Sequence, residues 1–191
     1  KWPGMDKIRD SADILQPEKE ETYQFIEKLL SSVKENFSTN RVHLGMDEAV
    51  MLGLGNYLKE NGYKKGSLII REHCNRVVDI CRKLELKPMI WSDMYITANS
   101  TGGYYDLPEN TDCSKWEKPK KDLGLVYWDY YHDDTRTYEK MLDIHAQLSD
   151  NVIFAGGSWI WNGISPNYSK TYACTKAALS TCKKYNIKEV L

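Results

Sequence analysis

Arg41-Val42-His43-Leu44-Gly45-Met46-Asp47-Glu48 joins a short β-type run to two adjacent carboxylates. Successive side chains of a strand point to opposite faces, so Asp47 and Glu48 can reach one ligand only if the backbone turns there. Gly45 permits such a turn, because glycine readily adopts a positive φ. Taken alone, two acids at this place are also typical of a solvated strand end or a helix start. Their interpretation therefore depends on what surrounds them.

The rest of the chain alternates β-rich runs with longer amphipathic runs, which is typical of βα units around a parallel sheet. The predicted strands are 41–45, 89–91, 123–128 and 151–155, with an incomplete strand at 187–191, and the predicted helices are 17–37, 54–59, 67–84, 133–148 and 169–185. This pattern predicts the α/β class, as a partial (β/α)8 TIM barrel of about four βα units with the start of a further strand. The alternative is a small open doubly wound sheet. The barrel is favoured because the chemically reactive residues follow the carboxyl ends of the strands, although open α/β sheets share this placement. Residues 1–191 are expected to form a single catalytic-domain segment, an incomplete barrel.

The composition excludes several classes of partner. The 26 basic and 27 acidic residues give a formal net charge of −1, so we expect no nucleic-acid partner and no binding to acidic lipid. No apolar run approaches the roughly 18 residues of a membrane span, and the first residues lack a signal-peptide pattern. Five cysteines, without CxxC spacing or Cys/His clusters, predict reduced thiols and no metal site or cofactor. Reduced thiols favour a cytoplasmic location over a secreted one, although the absent initiator methionine indicates that the natural N-terminus lies upstream.

Aromatic and polar residues occur together after three of the predicted strands. The three clusters are Trp91-Ser92-Asp93, Tyr127-Trp128-Asp129-Tyr130-Tyr131-His132 and Trp159-Ile160-Trp161-Asn162. A single tryptophan is most simply explained by core packing. Three clusters at corresponding strand ends instead predict a carbohydrate pocket, in which rings stack on sugar C–H surfaces while Asp and Asn bind hydroxyls. The irregular segment 96–122 is predicted to overhang this site.

The two acids also indicate a type of chemistry. Paired carboxylates cleave a glycosidic bond across a gap of roughly 5 to 9 Å, which adjacent residues fit poorly. A better fit is a mechanism in which Glu48 protonates the leaving oxygen while Asp47 holds an attacking group of the substrate, such as a 2-acetamido carbonyl. His43 shares the strand parity of Asp47, so it is either an orienting group below that carboxylate or a hydrogen-bonded core histidine.

His43-x-Gly45-x-Asp47-Glu48 resembles the H-x-G-x-D-E signature of family 20 glycoside hydrolases, the β-N-acetylhexosaminidases. The order and spacing of three further segments resemble the compact bacterial members of this family. These segments are 91–93, 126–131 and 156–163. The resemblance covers nearly the whole chain.

This resemblance implies a (β/α)8 barrel that releases terminal GlcNAc or GalNAc with retention, through an oxazolinium intermediate formed by the 2-acetamido group. It also implies that Asp47 polarises the acetamido N–H and that Glu48 is the general acid and then the general base. Trp91, Trp128 and Trp161 would wall the acetamido and ring-stacking pocket. The tyrosine that binds the acetamido oxygen is either Tyr127 or Tyr130. The candidate substrate-binding residues are His43, Trp91, Asp93, Tyr127, Trp128, Asp129, Tyr130, Trp159 and Trp161.

By the same resemblance, the His43 strand is the fourth of the barrel, so the predicted strands are four to seven and 187–191 begins the eighth. We therefore expect a part of a bacterial exo-β-N-acetylhexosaminidase whose missing half, with an arginine near the first strand, is supplied by the parent chain. Its partner is an N-acetylhexosamine-containing oligosaccharide or glycoconjugate. Two alternatives stay open. One is a sugar-binding relative or inactive fragment, and the other is a two-carboxylate glycosidase that pairs Glu48 with Asp93 or Asp129.

Overall fold

The computed structural model describes residues 4–191. It contains a four-stranded parallel sheet whose strands are connected by helical segments. The strands are β1 (Arg41–His43), β2 (Lys87–Trp91), β3 (Gly124–Trp128) and β4 (Val152–Ala155). The helices are α1 (Glu20–Asn36), α2 (Asn56–Asn61), α3 (Gly66–Lys83), α4 (Asp93–Thr97), α5 (Thr135–Leu148) and α6 (Tyr168–Lys184), after a 3-10 turn at Met5–Ile8. The signal-peptide prediction concerns the first residues, of which 1–3 lie outside the described part.

The strands lie in the sheet in their chain order, β1-β2-β3-β4, and every pair is parallel. Val190 continues this order beyond β4, because it forms a parallel bridge with Phe154. A doubly wound sheet reverses its strand order at a switch point, whereas consecutive strands of a barrel lie side by side. The sheet is therefore consistent with a partial TIM barrel.

The alternation of side chains along the strands separates two apolar layers. Residues such as Ile90, Leu125 and Phe154 belong to the main core, in which α3 packs against β2 and α5 packs against β3. The residues that alternate with these along each strand point to the opposite face of the sheet, which is called the inner face below. Four of these form a smaller buried cluster with Trp91 and Trp128 packed against it: Met89, Val126, Ile153 and Ala155. Both tryptophans thus stand on the inner face.

Several element boundaries differ from the sequence predictions. Strand β1 ends at His43, yet the pairing continues because the Trp91 N–H donates to the Gly45 carbonyl at 3.1 Å. Helix α2 lies two residues later than predicted, and α4 was not predicted. The predicted cap of α3 was wrong, because Lys65 is the N-cap residue and Ser67 is buried inside the first turn. Asp134 caps α5 by accepting the Thr137 N–H at 2.8 Å, as its acidic helix-start signal predicted.

All five cysteines are unbridged and buried. No helix in the described part of the chain combines the length and the apolar character that crossing a membrane requires.

Candidate functional site

A tight turn follows β1 and carries the two acids. Gly45, Met46 and Glu48 have φ values of 71°, 70° and 46°, which lie in the left-handed region. This region is unfavourable for a side chain such as that of Met46, by about 1–2 kcal/mol. The Met46 side chain packs against the main core and its sulfur lies 3.5 Å from the Cys74 thiol, which stabilises the conformation. The turn breaks the strand alternation and leaves both carboxylates exposed to solvent.

Both carboxylates line one cavity of about 210 Å³ at the carboxyl end of the sheet. Its other side-chain walls are Trp91 from β2, Trp128 from β3 and Tyr130 just after β3. Ala155, the last residue of β4, and Gly156 complete the lining. The cavity therefore combines two acidic groups with three aromatic rings, and its volume lies below the ~300–1,000 Å³ usual for drug-sized ligands.

Asp93 holds the turn at 45–48 from the neighbouring strand end. Asp93 is buried, and its carboxylate accepts a hydrogen bond from the backbone N–H of Glu48 at 2.8 Å. Burial raises the pKa of Asp93, and the hydrogen bond from Glu48 opposes this shift. Asp93 lines a second cavity, of about 630 Å³, and does not line the smaller one. Glu48 and Trp128 line both cavities, so the two spaces meet at these side chains.

His43 lies on the inner face below the turn. Its ring centroid is 4.3 Å from that of Trp91, and its Nδ1 accepts the Gly45 N–H at 3.1 Å. Burial lowers the pKa of His43, while the nearby Asp47 charge acts in the opposite direction. A neutral imidazole with Nδ1 as acceptor carries its proton on Nε2, which has no hydrogen-bond partner among the described residues. His43 thus supports the turn and Trp91 from below.

The two candidate tyrosines occupy different faces of the sheet. Tyr130 lines the smaller cavity, and burial, with the Tyr131 hydroxyl and the Glu48 charge as further causes, raises its pKa to about 12. Its hydroxyl is therefore protonated at neutral pH and can donate a hydrogen bond. Tyr127 is fully buried in the main core under α5, and its hydroxyl donates to Asp129 at 2.8 Å. Tyr127 does not line the cavity of the two acids.

Asp129 is a buried structural acceptor. Besides the Tyr127 hydroxyl, its carboxylate accepts the Tyr131 backbone N–H at 3.0 Å, and it lies 2.8 Å from the His132 Nδ1. The Asp129 side chain has no exposed surface. The sequence placed Asp129 among the sugar ligands, whereas its contacts make it the centre of the turn that presents Tyr130.

Trp159 and Trp161 lie around Tyr130. Trp159 is buried, and its indole N–H donates to the Tyr130 carbonyl at 2.5 Å. Trp161 is 53% exposed and meets the Tyr130 ring edge-on, with the centroids 5.0 Å apart. A Cβ on Gly157 would lie 3.0 Å from the Tyr130 ring and 3.2 Å from Trp161, so the absence of a side chain there permits this close packing. Neither tryptophan lines the cavity of the two acids, so the predicted wall position of Trp161 is not found, and both side chains instead contact Tyr130, which does line it.

Sequence reasoning missed two residues that contact the site from the long loop between α4 and β3. Tyr104 stacks on Trp128 with ring centroids 5.4 Å apart, and the Tyr105 hydroxyl donates to the Trp128 carbonyl at 2.7 Å. The loop was predicted to overhang the site, but its irregular sequence has no period that would identify inward-pointing residues. The only sequence feature that could have indicated their role is that two adjacent aromatic residues, Tyr104 and Tyr105, occur in an otherwise polar loop.

Among residues 4–191, no three His, Cys, Asp or Glu side chains come close enough together to hold a metal ion. The chemistry that can be assigned to the described site is proton transfer and hydrogen bonding by carboxylates and a tyrosine beside aromatic stacking surfaces.

A family model described as "Glycosyl hydrolase family 20, catalytic domain" matches residues 2–145. This span covers well over half of the chain, and it includes the turn at 45–48 and the aromatic segment 127–131. No curated protein sequence matches the chain.

Proposed function

The chain belongs to glycosyl hydrolase family 20, and from this premise we propose that it is part of an exo-β-N-acetylhexosaminidase that removes terminal β-linked GlcNAc or GalNAc. The observation that carries the proposal is the cavity in which the adjacent Asp47 and Glu48 both face an aromatic wall. Adjacent acids suit a reaction in which one binds the substrate's own nucleophile and the other transfers the proton. The parent protein would supply the remaining strands of the barrel.

In the first step, the carbonyl oxygen of the 2-acetamido group attacks the anomeric carbon. The bond from that carbon to the leaving oxygen breaks, and Glu48 gives its proton to this oxygen. Asp47 accepts a hydrogen bond from the acetamido N–H and so stabilises the positive charge that develops on the oxazolinium ion. The larger cavity begins at Glu48, and it provides space for the departing group.

In the second step, Glu48 acts as a general base. It takes a proton from a water molecule whose oxygen attacks the anomeric carbon, and the bond from this carbon to the acetamido oxygen breaks. Two inversions at one carbon give a product with retained configuration. Trp91 and Trp128 supply stacking surfaces for the sugar, and the protonated Tyr130 can donate to the acetamido oxygen.

The contacts of the other buried acids argue against a conventional two-carboxylate mechanism. Asp129 is enclosed by its hydrogen bonds to Tyr127, Tyr131 and His132. Asp93 is engaged by the Glu48 backbone and does not line the smaller cavity. Neither carboxylate lines the smaller cavity, so neither is placed to pair with Glu48 across a sugar that is bound beside Trp91 and Trp128.

The first experiment replaces Glu48 by Gln in the full protein that contains this chain. We expect hydrolysis of N,N′-diacetylchitobiose to fall by about 10²–10⁴-fold, the usual contribution of a general acid. A 2,4-dinitrophenyl β-GlcNAc should lose much less in the bond-breaking step, because its leaving group needs no proton. Glu139→Gln, a change on the outer surface of α5, is the matched control and should leave both rates unchanged.

Three outcomes would contradict the proposal. Unchanged chitobiose hydrolysis by Glu48→Gln would remove the assigned acid. Binding of GlcNAc in calorimetry, with no turnover by the full wild-type protein, would favour the non-catalytic alternative. Efficient hydrolysis of β-glucosides that lack the acetamido group, with no inhibition by a GlcNAc-thiazoline, would favour the two-carboxylate mechanism.

A further inference from the structure

The long loop between α4 and β3 folds back onto Trp128. Tyr104 lies nearly parallel to the Trp128 indole, at an interplanar angle of 23° and a centroid distance of 5.4 Å. Tyr105 meets the same indole edge-on at 5.9 Å, and its hydroxyl bonds to the Trp128 carbonyl. The Lys140 ammonium of α5 in turn donates to the Tyr105 carbonyl at 2.7 Å. The loop therefore contacts both the ring and the backbone of this cavity wall.

A buried hydrogen-bond chain fixes the far end of the Tyr104 ring. The Tyr104 hydroxyl lies 2.7 Å from the Ser92 hydroxyl, which lies 2.7 Å from the His145 Nε2. The His145 Nδ1 lies 2.6 Å from the Met141 carbonyl. All three of these side chains are buried.

The donors in this chain can be assigned by elimination. A carbonyl only accepts, so the His145 Nδ1–H donates to Met141. Burial lowers the pKa of His145 to about 4, so the ring is neutral at pH 7 and its Nε2 accepts from the Ser92 O–H. The single Ser92 proton is then in use, and the Ser92 oxygen accepts from the Tyr104 O–H. Each hydrogen in the chain then has one acceptor, so the direction of the chain is unique.

The chain also connects Trp128 to rigid elements. Ser92 directly follows β2, and its backbone N–H donates to the Val126 carbonyl of β3 at 3.0 Å. His145 lies in the last turn of α5. Tyr104 is thus held by the sheet and by a helix behind it, whereas Trp128 stands half-buried between the two cavities.

We infer that Tyr104, held by Ser92 and His145, is a positioning residue that sets the orientation of the Trp128 indole and so the shape of the sugar-binding wall. This orientation follows from contacts among the described residues, without reference to any substrate. Its consequence for sugar binding rests on the proposed function.

The test of orientation needs no ligand. The chain is labelled with 5-fluorotryptophan, and Trp128→Phe assigns the Trp128 resonance in the ¹⁹F NMR spectrum. Tyr104→Phe keeps the ring but removes the hydroxyl, and Ser92→Ala removes the link without altering the stacked ring. We expect both variants to shift or broaden the Trp128 resonance.

Tyr138→Phe is the matched control, because it also removes one buried tyrosine hydroxyl, which bonds to the His132 carbonyl at 2.7 Å, and this tyrosine does not stack on Trp128. Far-UV circular dichroism establishes that each variant is folded. The inference is overturned if folded Tyr104→Phe and Ser92→Ala leave the Trp128 resonance unmoved. It is also overturned if Tyr138→Phe moves that resonance as far as they do.

A kinetic measurement on the full protein tests the consequence. With an aryl β-GlcNAc, Tyr104→Phe should raise KM by about 2- to 10-fold, the range of one aromatic contact, while kcat changes by less than about 2-fold. Unchanged KM in a variant with a displaced Trp128 would overturn the link to sugar binding. An inactive wild-type protein would instead contradict the proposed function and leave the NMR result standing.

Discussion

Single residues with unusual backbone conformations place the acids of this site. Met46 and Glu48 both have positive φ, although neither residue favours it. Such strain persists where surrounding contacts over-determine it. Here the Met46 side chain is packed beside Cys74, and the Glu48 N–H is bound by Asp93. The geometry of the two carboxylates therefore depends on a half-buried methionine and a buried aspartate as much as on the acids themselves.

Tyr130 and Tyr127 provide a matched pair of substitutions at this scale. Tyr130→Phe should lower kcat/KM for an aryl β-GlcNAc by about 10- to 100-fold, because a donor to the reacting group is lost, and should change stability by less than about 0.5 kcal/mol. Tyr127→Phe should instead lower the free energy of unfolding by about 1–2 kcal/mol, since it removes a buried hydrogen bond to Asp129. Steady-state kinetics and urea unfolding measure both effects. The reverse pattern would assign the acetamido contact to Tyr127.

His145 makes stability depend on pH. Its pKa in the folded protein is about 4, below the ordinary value of 6.5, so between these values only the unfolded chain binds the proton. The free energy of unfolding should therefore fall as the pH is lowered from 6.5 towards 4, by about 1.4 kcal/mol per pH unit.

The measurement compares urea unfolding of the wild type and of His145→Gln at pH 7 and pH 5. The wild type should lose about 2 kcal/mol more than the variant over this interval, because Gln does not titrate. Carboxylates titrate in both proteins, so their contribution cancels in the difference. Equal losses would show that His145 is not held neutral in the folded state.

At the scale of elements, regular segments were predictable and connections were not. The strands and long helices followed from their apolar periods, and Asp134 was recognisable as an acidic helix start. The N-cap of α3 could not be identified in this way, because Ser67 has a side chain typical of a cap but is buried in the first turn of the helix. Periodicity likewise could not show that Tyr127 faces α5, because a polar hydroxyl at its tip fits either face. The contact of Tyr104 with Trp128 joins segments that no local pattern relates.

The connection between β4 and α6 depends on Gly157. An added Cβ would come within 3.0–3.2 Å of both the Tyr130 and Trp161 rings, which must then move by a few tenths of an ångström. We expect Gly157→Ala to raise KM for an aryl β-GlcNAc several-fold, with stability lowered by about 1 kcal/mol. Gly66→Ala at the start of α3 is the control, since the nearest atom to its Cβ would lie at 3.9 Å. Equal KM values for the two variants would contradict this role of Gly157.

At the scale of the whole molecule, the thiols report on the integrity of the fold. Cys74 and Cys81 lie on α3, Cys174 and Cys182 lie on α6, and Cys113 lies in the long loop. All five are buried, so a thiol reagent reaches them only when the helices and the long loop separate from the sheet.

Native thiols should react very slowly. Burial raises the pKa of Cys74 to about 12 and those of Cys81 and Cys182 to about 11. At pH 8 only about one buried Cys74 in 10,000 would be a thiolate. We expect DTNB to modify less than one thiol per chain in buffer and all five in 6 M guanidinium chloride. Rapid modification of one thiol without denaturant would contradict the packing of its element.

The order of the strands has a consequence for synthesis on the ribosome. Each strand pairs with the one made just before it, from Arg41 with Lys87 to Phe154 with Val190, so no pairing spans more than about 50 residues. When each of these later strands leaves the exit tunnel, the strand with which it pairs has already been synthesised. The sheet from β1 to Val190 can therefore grow by one strand at a time, because no strand within it waits for a partner that is made much later.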